Sequence, residues 1–324
     1  MSTVETLAGP VDLDRLGPTL MHEHIFVLTP DLLQNYPEGW DEEERVEDAV
    51  IQLRGLKDLA IDTIVDPTVV GLGRYIPRLQ RIAERVDVNV IVATGLYTYN
   101  DIPFKFHYFA PDPAAGRQDP LIDLFLKDIN DGIAGTGVRA AFLKCAIDRP
   151  GLTPGVERVM RAVARAHRLS GVPITVHTSV HNQGGQVAQR VLREEGVDLS
   201  RVVIGHCGDS TDLDYLRGLA DEGSLLGMDR FGLDTLLPTN DRVNTVVQLC
   251  EAGYADRMVL SHDASCFIDW FPLEGLRRAL PKWNYRHISE DVLPALRERG
   301  VSEADVQKML VDNPRRYFQN VGAY

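Results

Sequence analysis

At 324 residues, 44% of them hydrophobic and 25% charged, the chain has the composition of a globular protein with apolar material for a large core. A formal net charge of −13, with no run of Lys and Arg, argues against nucleic acid or an anionic membrane surface as partner. No stretch reaches the ~18 apolar residues of a spanning helix, and no signal-peptide pattern opens the chain, so a cytoplasmic protein is expected.

The opening residues "TVETLAGPVDLDRLG" predict a small hairpin turning at Gly9-Pro10. Short β-branched runs then alternate with amphipathic segments. Strands are predicted over 19–24, 62–67, 88–95, 140–146, 173–178, 202–206, 224–229 and 257–263. Helices are predicted over 43–60, 74–86, 118–133, 154–170, 183–195, 211–222 and 240–252. A last helical pair covers about 288–299 and 302–311 and stops before "NPRRYF", where Pro314 cannot continue it. Eight strands alternating with helices in this length favour a closed parallel (β/α)8 TIM barrel over a doubly wound sheet. No linker, repeat or shift in composition divides the chain, so residues 1–324 read as one domain. The long connections 97–117 and 264–287 follow strands, which places them at the mouth of the barrel.

Chemistry concentrates at the strand ends. His22, His24, His177, His206 and His262 all close apolar runs, and His22-Glu23-His24 puts two imidazoles on one side of a strand. Glu23 then points the other way, as a structural partner on the outer face. Lys144 sits in the middle of "RAAFLKCAID", a run that reads as buried, in a chain with only 6 lysines against 28 arginines. A buried amine loses its charge readily, and a neutral amine takes up carbon dioxide to give a carbamate, a bidentate anionic ligand. Two divalent cations ~3.5–4 Å apart would stabilise that carbamate and share a bridging hydroxide, which reads Lys144 as a metal bridge. The four cysteines, Cys145, Cys207, Cys250 and Cys266, show no C-x-x-C pair and read as reduced, buried fillers.

The segments "GPTLMHEHIFV", "FLKCAID", "ITVHTS", "VVIGHCGDSTDLDYL" and "VLSHD", in that order, resemble the metal-ligand motifs of the phosphotriesterase-like branch of the amidohydrolase superfamily. The resemblance implies a binuclear site. His22, His24 and Asp263 would hold the more buried ion, His177 and His206 the more exposed one, and carboxylated Lys144 would bridge them. Zinc is the first expectation, with cobalt, iron or manganese as alternatives. The resemblance gives Asp263 a second role, accepting a proton as the bridging hydroxide attacks. His262 alternates away and reads as structural. A homodimer is implied by the family alone.

Four features are similar to the lactonases of this branch rather than its triesterases. These are Tyr97 beside Tyr99, Arg230, the compact connection after Arg230, and Trp270 seven residues beyond Asp263. Tyr97 would orient a planar ester, and Arg230 would pair with Asp209 behind the metals. The 264–287 connection, with Phe267, Trp270, Phe271, Leu276 and Trp283, would take an apolar tail. The expected substrate is an N-acyl-homoserine lactone, a quorum-quenching activity, with weak phosphotriesterase activity beside it. The alternatives are other γ- or δ-lactones, an organophosphate triester, or a non-catalytic metal-binding homologue. The last is disfavoured because all six ligand positions are filled.

Overall fold

The computed structural model describes residues 2–112 and 116–324. Met1 and residues 113–115, the latter inside the predicted 97–117 connection, lie outside the described residues.

The chain opens with an antiparallel hairpin, β1 (Thr3–Thr6) and β2 (Gly9–Asp12). Its turn is Leu7-Ala8, not Gly9-Pro10, because Thr6 pairs with Gly9 and Glu5 with Pro10. Thr6 supplies the turn chemistry: its hydroxyl donates to Gly9 O (2.6 Å) and accepts from Ala8 N (3.2 Å). Pro10 is tolerated inside β2 because this two-stranded ribbon has free edges. Leu7 N–H donates to Val90 O (2.9 Å) and docks the hairpin on the strands that follow.

Those strands are β3 (Thr19–Leu20), β4 (His24–Val27), β5 (Thr63–Asp66), β6 (Asn89–Gly95), β7 (Phe142–Ile147), β8 (Ile174–Thr178), β9 (Val202–Ile204), β10 (Leu225–Met228), β11 (Met258–Leu260) and β12 (Ser265–Ile268). Eight of them, β3 and β5–β11, form one parallel sheet whose spatial order follows the chain. Its ends meet where Met21 N–H donates to Leu260 O (3.2 Å) and Asp263 N–H to His22 O (3.0 Å). The sheet is thus a (β/α)8 barrel, as the alternation predicts.

The predicted first strand, 19–24, is divided. β3 ends at Leu20, and β4 leaves the barrel wall to pair in parallel with β12, His24 opposite Ser265 and Phe26 opposite Phe267. The predicted last strand, 257–263, runs only over Met258–Leu260, and Asp263 beyond it takes a left-handed turn (φ 55°). The predicted 264–287 connection contains β12 and the helix Leu273–Ala279.

The longer helices between strands fall where periodicity places them: Glu42–Lys57, Ile76–Ala83, Pro120–Asn130, Pro154–Ser170, Gly184–Glu194, Leu213–Asp221 and Thr239–Glu251. Two short ones, Pro30–Asn35 and Phe104–Tyr108, were not predicted, the second inside the predicted 97–117 connection. Pro154–Ser170 shows the local rules at work. The Thr153 hydroxyl accepts from Val156 N, Pro154 opens the first turn, and left-handed Gly171 closes the last onto His167 O. The C-terminal prediction needs correction, since the helix runs on through Asn313–Phe318. A π-helical stretch, Lys308–Asp312, precedes Pro314 and widens the turn where its ring would meet the preceding carbonyls. The same device, Ile288–Val292, precedes Pro294. The continued helix carries Tyr317 and Phe318 under the barrel, where the Tyr317 hydroxyl meets Thr175 Oγ1 at 2.8 Å.

Side-chain alternation fills the barrel axis. Met21, Val65, Ile91, Phe142, Val203, Leu225 and Val259, one from each of seven chain positions around the wall, form the inner apolar layer. Leu20, Ile64, Val90, Leu143, Ile204, Leu226 and Leu260, each next in sequence to one of these, belong to the outer core instead.

Candidate active site

That alternation explains Lys144. On β7, Phe142 belongs to the inner layer, whereas Leu143, Cys145 and Ile147 join the outer core. Lys144, two residues beyond Phe142, therefore projects into the barrel towards its C-terminal end, 1% exposed. Burial pushes its amine down to about 8. Neighbouring Gly95 is required: a Cβ there would stand 1.9 Å from Lys144 O.

The residues singled out in the sequence converge above that layer. The Nε2 atoms of His22 and His24 each lie 3.3 Å from Asp263 Oδ1, and Lys144 Nζ lies 3.5 Å from His22 Nε2. His177 Nδ1 and His206 Nε2 face each other at 2.7 Å. His206 and Asp263 hold positive φ (66° and 55°) although neither is glycine, a cost that a functional geometry can sustain.

Hydrogen bonds on the far side of each ring show what this cluster is suited to hold. His177 Nε2 meets Asp148 Oδ2 at 2.7 Å, and His206 Nδ1 meets Asp229 Oδ1 at 2.9 Å. The same Asp229 takes His22 Nδ1 at 3.1 Å through Oδ2. Carboxylates accept, so these three nitrogens carry the ring hydrogens and their opposite nitrogens carry lone pairs. Burial lowers all three rings, His177 to about 4 and His206 well below the usual histidine range, so none is an imidazolium at neutral pH. Lone pairs of His177 and His206 therefore point at each other, and that of His22 points at a carboxylate oxygen. Such donors repel one another unless a cation lies between them, so the set fits divalent metal.

Among the described residues two groups have metal-compatible spacing, His22–His24–Asp263 and His22–His206–Asp229. The second reads better as support. Asp229 engages the hydrogen-bearing nitrogens and also accepts from His206 N (2.8 Å), which turns both Nε2 atoms inward. Asp229 was missed in the sequence although it closes "SLLGMD", the same strand-end position that marks the histidines. Asp148, which closes "FLKCAID", was missed likewise. Asp229→Asn is expected to weaken metal binding roughly 10–100-fold, read by competition with a chelating dye. Unchanged affinity would remove Asp229 from this role.

Arg230 bridges two carboxylates, with Nε on Asp263 Oδ2 and Nη1 on Asp209 Oδ2, both at 2.9 Å. Asp209 is held from behind by buried Arg242 (2.7 Å). Burial favours a neutral Asp263, but a hydrogen bond with His24 and the Arg230 guanidinium hold its carboxyl well below the usual carboxylate range. The Tyr97 hydroxyl lies 3.3 Å from His177 Nδ1 and hydrogen-bonds the Tyr99 hydroxyl, and burial raises the Tyr97 phenol well above its usual range.

A cavity of about 350 Å³ opens on this cluster, lined by Tyr97, Tyr99, Arg230, Trp270, Phe271 and Leu276 among others. Phe267 is not part of it. Its ring packs on Trp40 (5.4 Å) and under Arg45 (4.6 Å), and Ile268, next along β12, takes the cavity position. His262 is fully buried and turned from the cluster onto Glu23. Glu23 is itself 0% exposed, so the outer face predicted for it is an interior. Cys145 and Cys207 flank site residues but belong to the outer core, and burial raises both thiols, Cys145 to about 12.

Residues 2–318 match the Phosphotriesterase family, whose members are binuclear-metal enzymes. A phosphotriesterase homology protein of Mycobacterium tuberculosis (strain ATCC 25618 / H37Rv) is 55% identical over 325 residues, 100% of both chains. An aryldialkylphosphatase of Saccharolobus solfataricus is 40% identical over 306 residues, 94% of this chain and 95% of the other. A solved structure of the phosphotriesterase from Mycobacterium tuberculosis superposes with a TM-score of 0.96 at 55% identity, covering 99% of this chain and 100% of that one. The chain belongs to the phosphotriesterase family and is a metal-dependent hydrolase on a (β/α)8 barrel.

Proposed function

We propose that the protein is a lactonase that opens N-acyl-homoserine lactones, with two divalent ions at its site and weak phosphotriesterase activity beside it. The observation that carries this reading is the cavity: an apolar space bounded by Trp270, Phe271 and Leu276 leads directly to a polar floor of Tyr97, Arg230 and Asp263. A polar ring with an apolar tail matches that division.

His22, His24 and Asp263 would hold one ion and His177 and His206 the other, with Lys144 between them as its carbamate. Zinc is the first expectation for such ligands. Bound there, the ions supply Lewis acidity at the ring carbonyl and an activated water. Asp263 accepts the proton released by attack and passes it to the ring oxygen as the C–O bond breaks, leaving a hydroxy acid. Arg230 pins Asp263 Oδ2, which keeps Oδ1 turned towards the histidines. Tyr97 orients the planar ester, and Trp270 and Phe271 keep water from the tail.

Organophosphate triester hydrolysis is the second reading, favoured by the names its relatives carry. A substrate panel separates the two: homoserine lactones of several tail lengths, plain γ- and δ-lactones, and paraoxon, with metal-reconstituted protein. The lactonase reading expects kcat/KM at least ~10²-fold higher on long-tailed homoserine lactones than on paraoxon, about 2.7 kcal/mol of transition-state discrimination. A higher value on paraoxon or untailed lactones would reverse the assignment of the Tyr97 and Trp270 surfaces.

A further inference from the structure

Glu23 stands between His22 and His24, yet its carboxylate belongs to a different network. It is 0% exposed, and none of the Lys or Arg ion pairs among the described residues includes it. Four donors surround it instead. Ser261 Oγ (2.7 Å), His262 N (2.9 Å) and His262 Nδ1 (2.6 Å) reach Oε1, and Ala264 N (3.1 Å) reaches Oε2.

Each partner's direction is determined by its other bond. Ser261 Oγ already accepts from His22 N (2.8 Å), which leaves its hydrogen for Glu23. His262 Nε2 accepts from Ile288 N (2.9 Å), so Nδ1 carries the ring hydrogen. The other two are main-chain amides. The site therefore demands an acceptor-only group, which a carboxylate is and a carboxamide is not.

These donors come from residues 261, 262 and 264, on both sides of Asp263, whose φ is 55°. A left-handed aspartate persists only where its surroundings over-determine it. The clamp is itself anchored, since Trp283 Nε1 donates to His262 O (2.9 Å) and Ile288 N to the His262 ring. Those two contacts also tie down the far end of the segment that walls the cavity.

We infer that Glu23 is a positioning residue for the hydrolysis. It holds the 261–264 turn so that Asp263 Oδ1 stays in reach of His22 and His24. This rests on the role of Asp263 proposed above. Glu23 touches neither substrate nor the reacting atoms and acts only through Asp263.

The test is a double-mutant cycle of Glu23→Gln with Asp263→Asn. In the native background Glu23→Gln is expected to lower kcat roughly 10–100-fold, the cost of misplacing a reacting group by ~1 Å, with KM changed by less than about 3-fold. In the Asp263→Asn background it is expected to lower kcat by no more than about 2-fold. In the metal-free protein, amide exchange over 261–266 is expected to accelerate at least ~10-fold while exchange in the other barrel strands stays unchanged. Equal losses in both backgrounds, or native exchange over 261–266, would overturn the inference. A fully active Asp263→Asn would instead overturn the role given to Asp263. If Glu23→Gln does not fold, Ser261→Ala removes one of the four donors and enters the same cycle, with an expected loss of roughly 3–10-fold and the same criteria.

Discussion

Replacing Lys144 by alanine is expected to remove metal and activity together, with kcat/KM falling by ~10³-fold or more, about 4 kcal/mol. The amine lies 3.5 Å from His22 Nε2, in the same site as the lone pairs of His177 and His206. As an amine it adds a fourth nitrogen to that group. As a carbamate it would add two anionic oxygens and offset the charge of bound cations. The reaction joins the amine nitrogen to carbon dioxide and releases one proton, so it requires free amine. At pH 7 a group near 8 is unprotonated in roughly one molecule in ten, against about one in several thousand for an ordinary lysine. Reconstitution of metal-free protein at fixed dissolved carbon dioxide is therefore expected to quicken about tenfold per pH unit below 8 and to level off above it. Short carboxylic acids should restore part of the activity of Lys144→Ala. Wild-type metal content and rate in that variant would end the bridging role.

Asp263→Asn carries the second large expectation, a loss of ~10²–10⁴ in kcat, the range of a positioned proton acceptor. Its carboxylate faces His22 and His24 through Oδ1 and Arg230 through Oδ2. Asparagine would keep the shape and one acceptor, but it cannot take up a proton at neutral pH. Steady-state kinetics at matched metal occupancy separates this loss from loss of metal. If kcat is unchanged once both ions are restored, Asp263 is a ligand only, and the proton goes elsewhere.

Much of this site is legible in the sequence because a barrel turns chain position into location. A residue that closes a parallel strand lies at one end of the barrel, and period-two alternation says which face it takes. Those two rules place Lys144 in phase with Phe142 and Asp263 in phase with Val259, whereas His22 and His206 stand one residue out of phase with Met21 and Val203 and are turned inward by the end of β3 at Leu20 and the left-handed turn at His206. The same rules, applied to Asp148 and Asp229, locate the carboxylates behind the histidines; the signal is weaker there, since an aspartate at a strand end also reads as a solvated turn.

Other features depend on partners far away in the chain. The division of the first strand depends on β12, whose Ser265 pairs with His24. One residue of register there decides whether Phe267 or Ile268 faces the cavity, and the short run "SCFID" carries no pattern that fixes it. The helix continues past Pro314 because a π-helical stretch relieves the proline clash and because Tyr317 and Phe318 close the barrel floor. The hairpin turn moved to Leu7-Ala8 because a threonine hydroxyl did the work expected of glycine and proline.

The central claim is that the histidine lone pairs converge because two cations belong among them. Elemental analysis of the purified protein, with metal content set against rate as ions are added to the stripped chain, tests it most directly. The account predicts two divalent ions per chain at full activity and a negligible rate in the stripped protein. Full activity with one ion per chain, or with none, would contradict it.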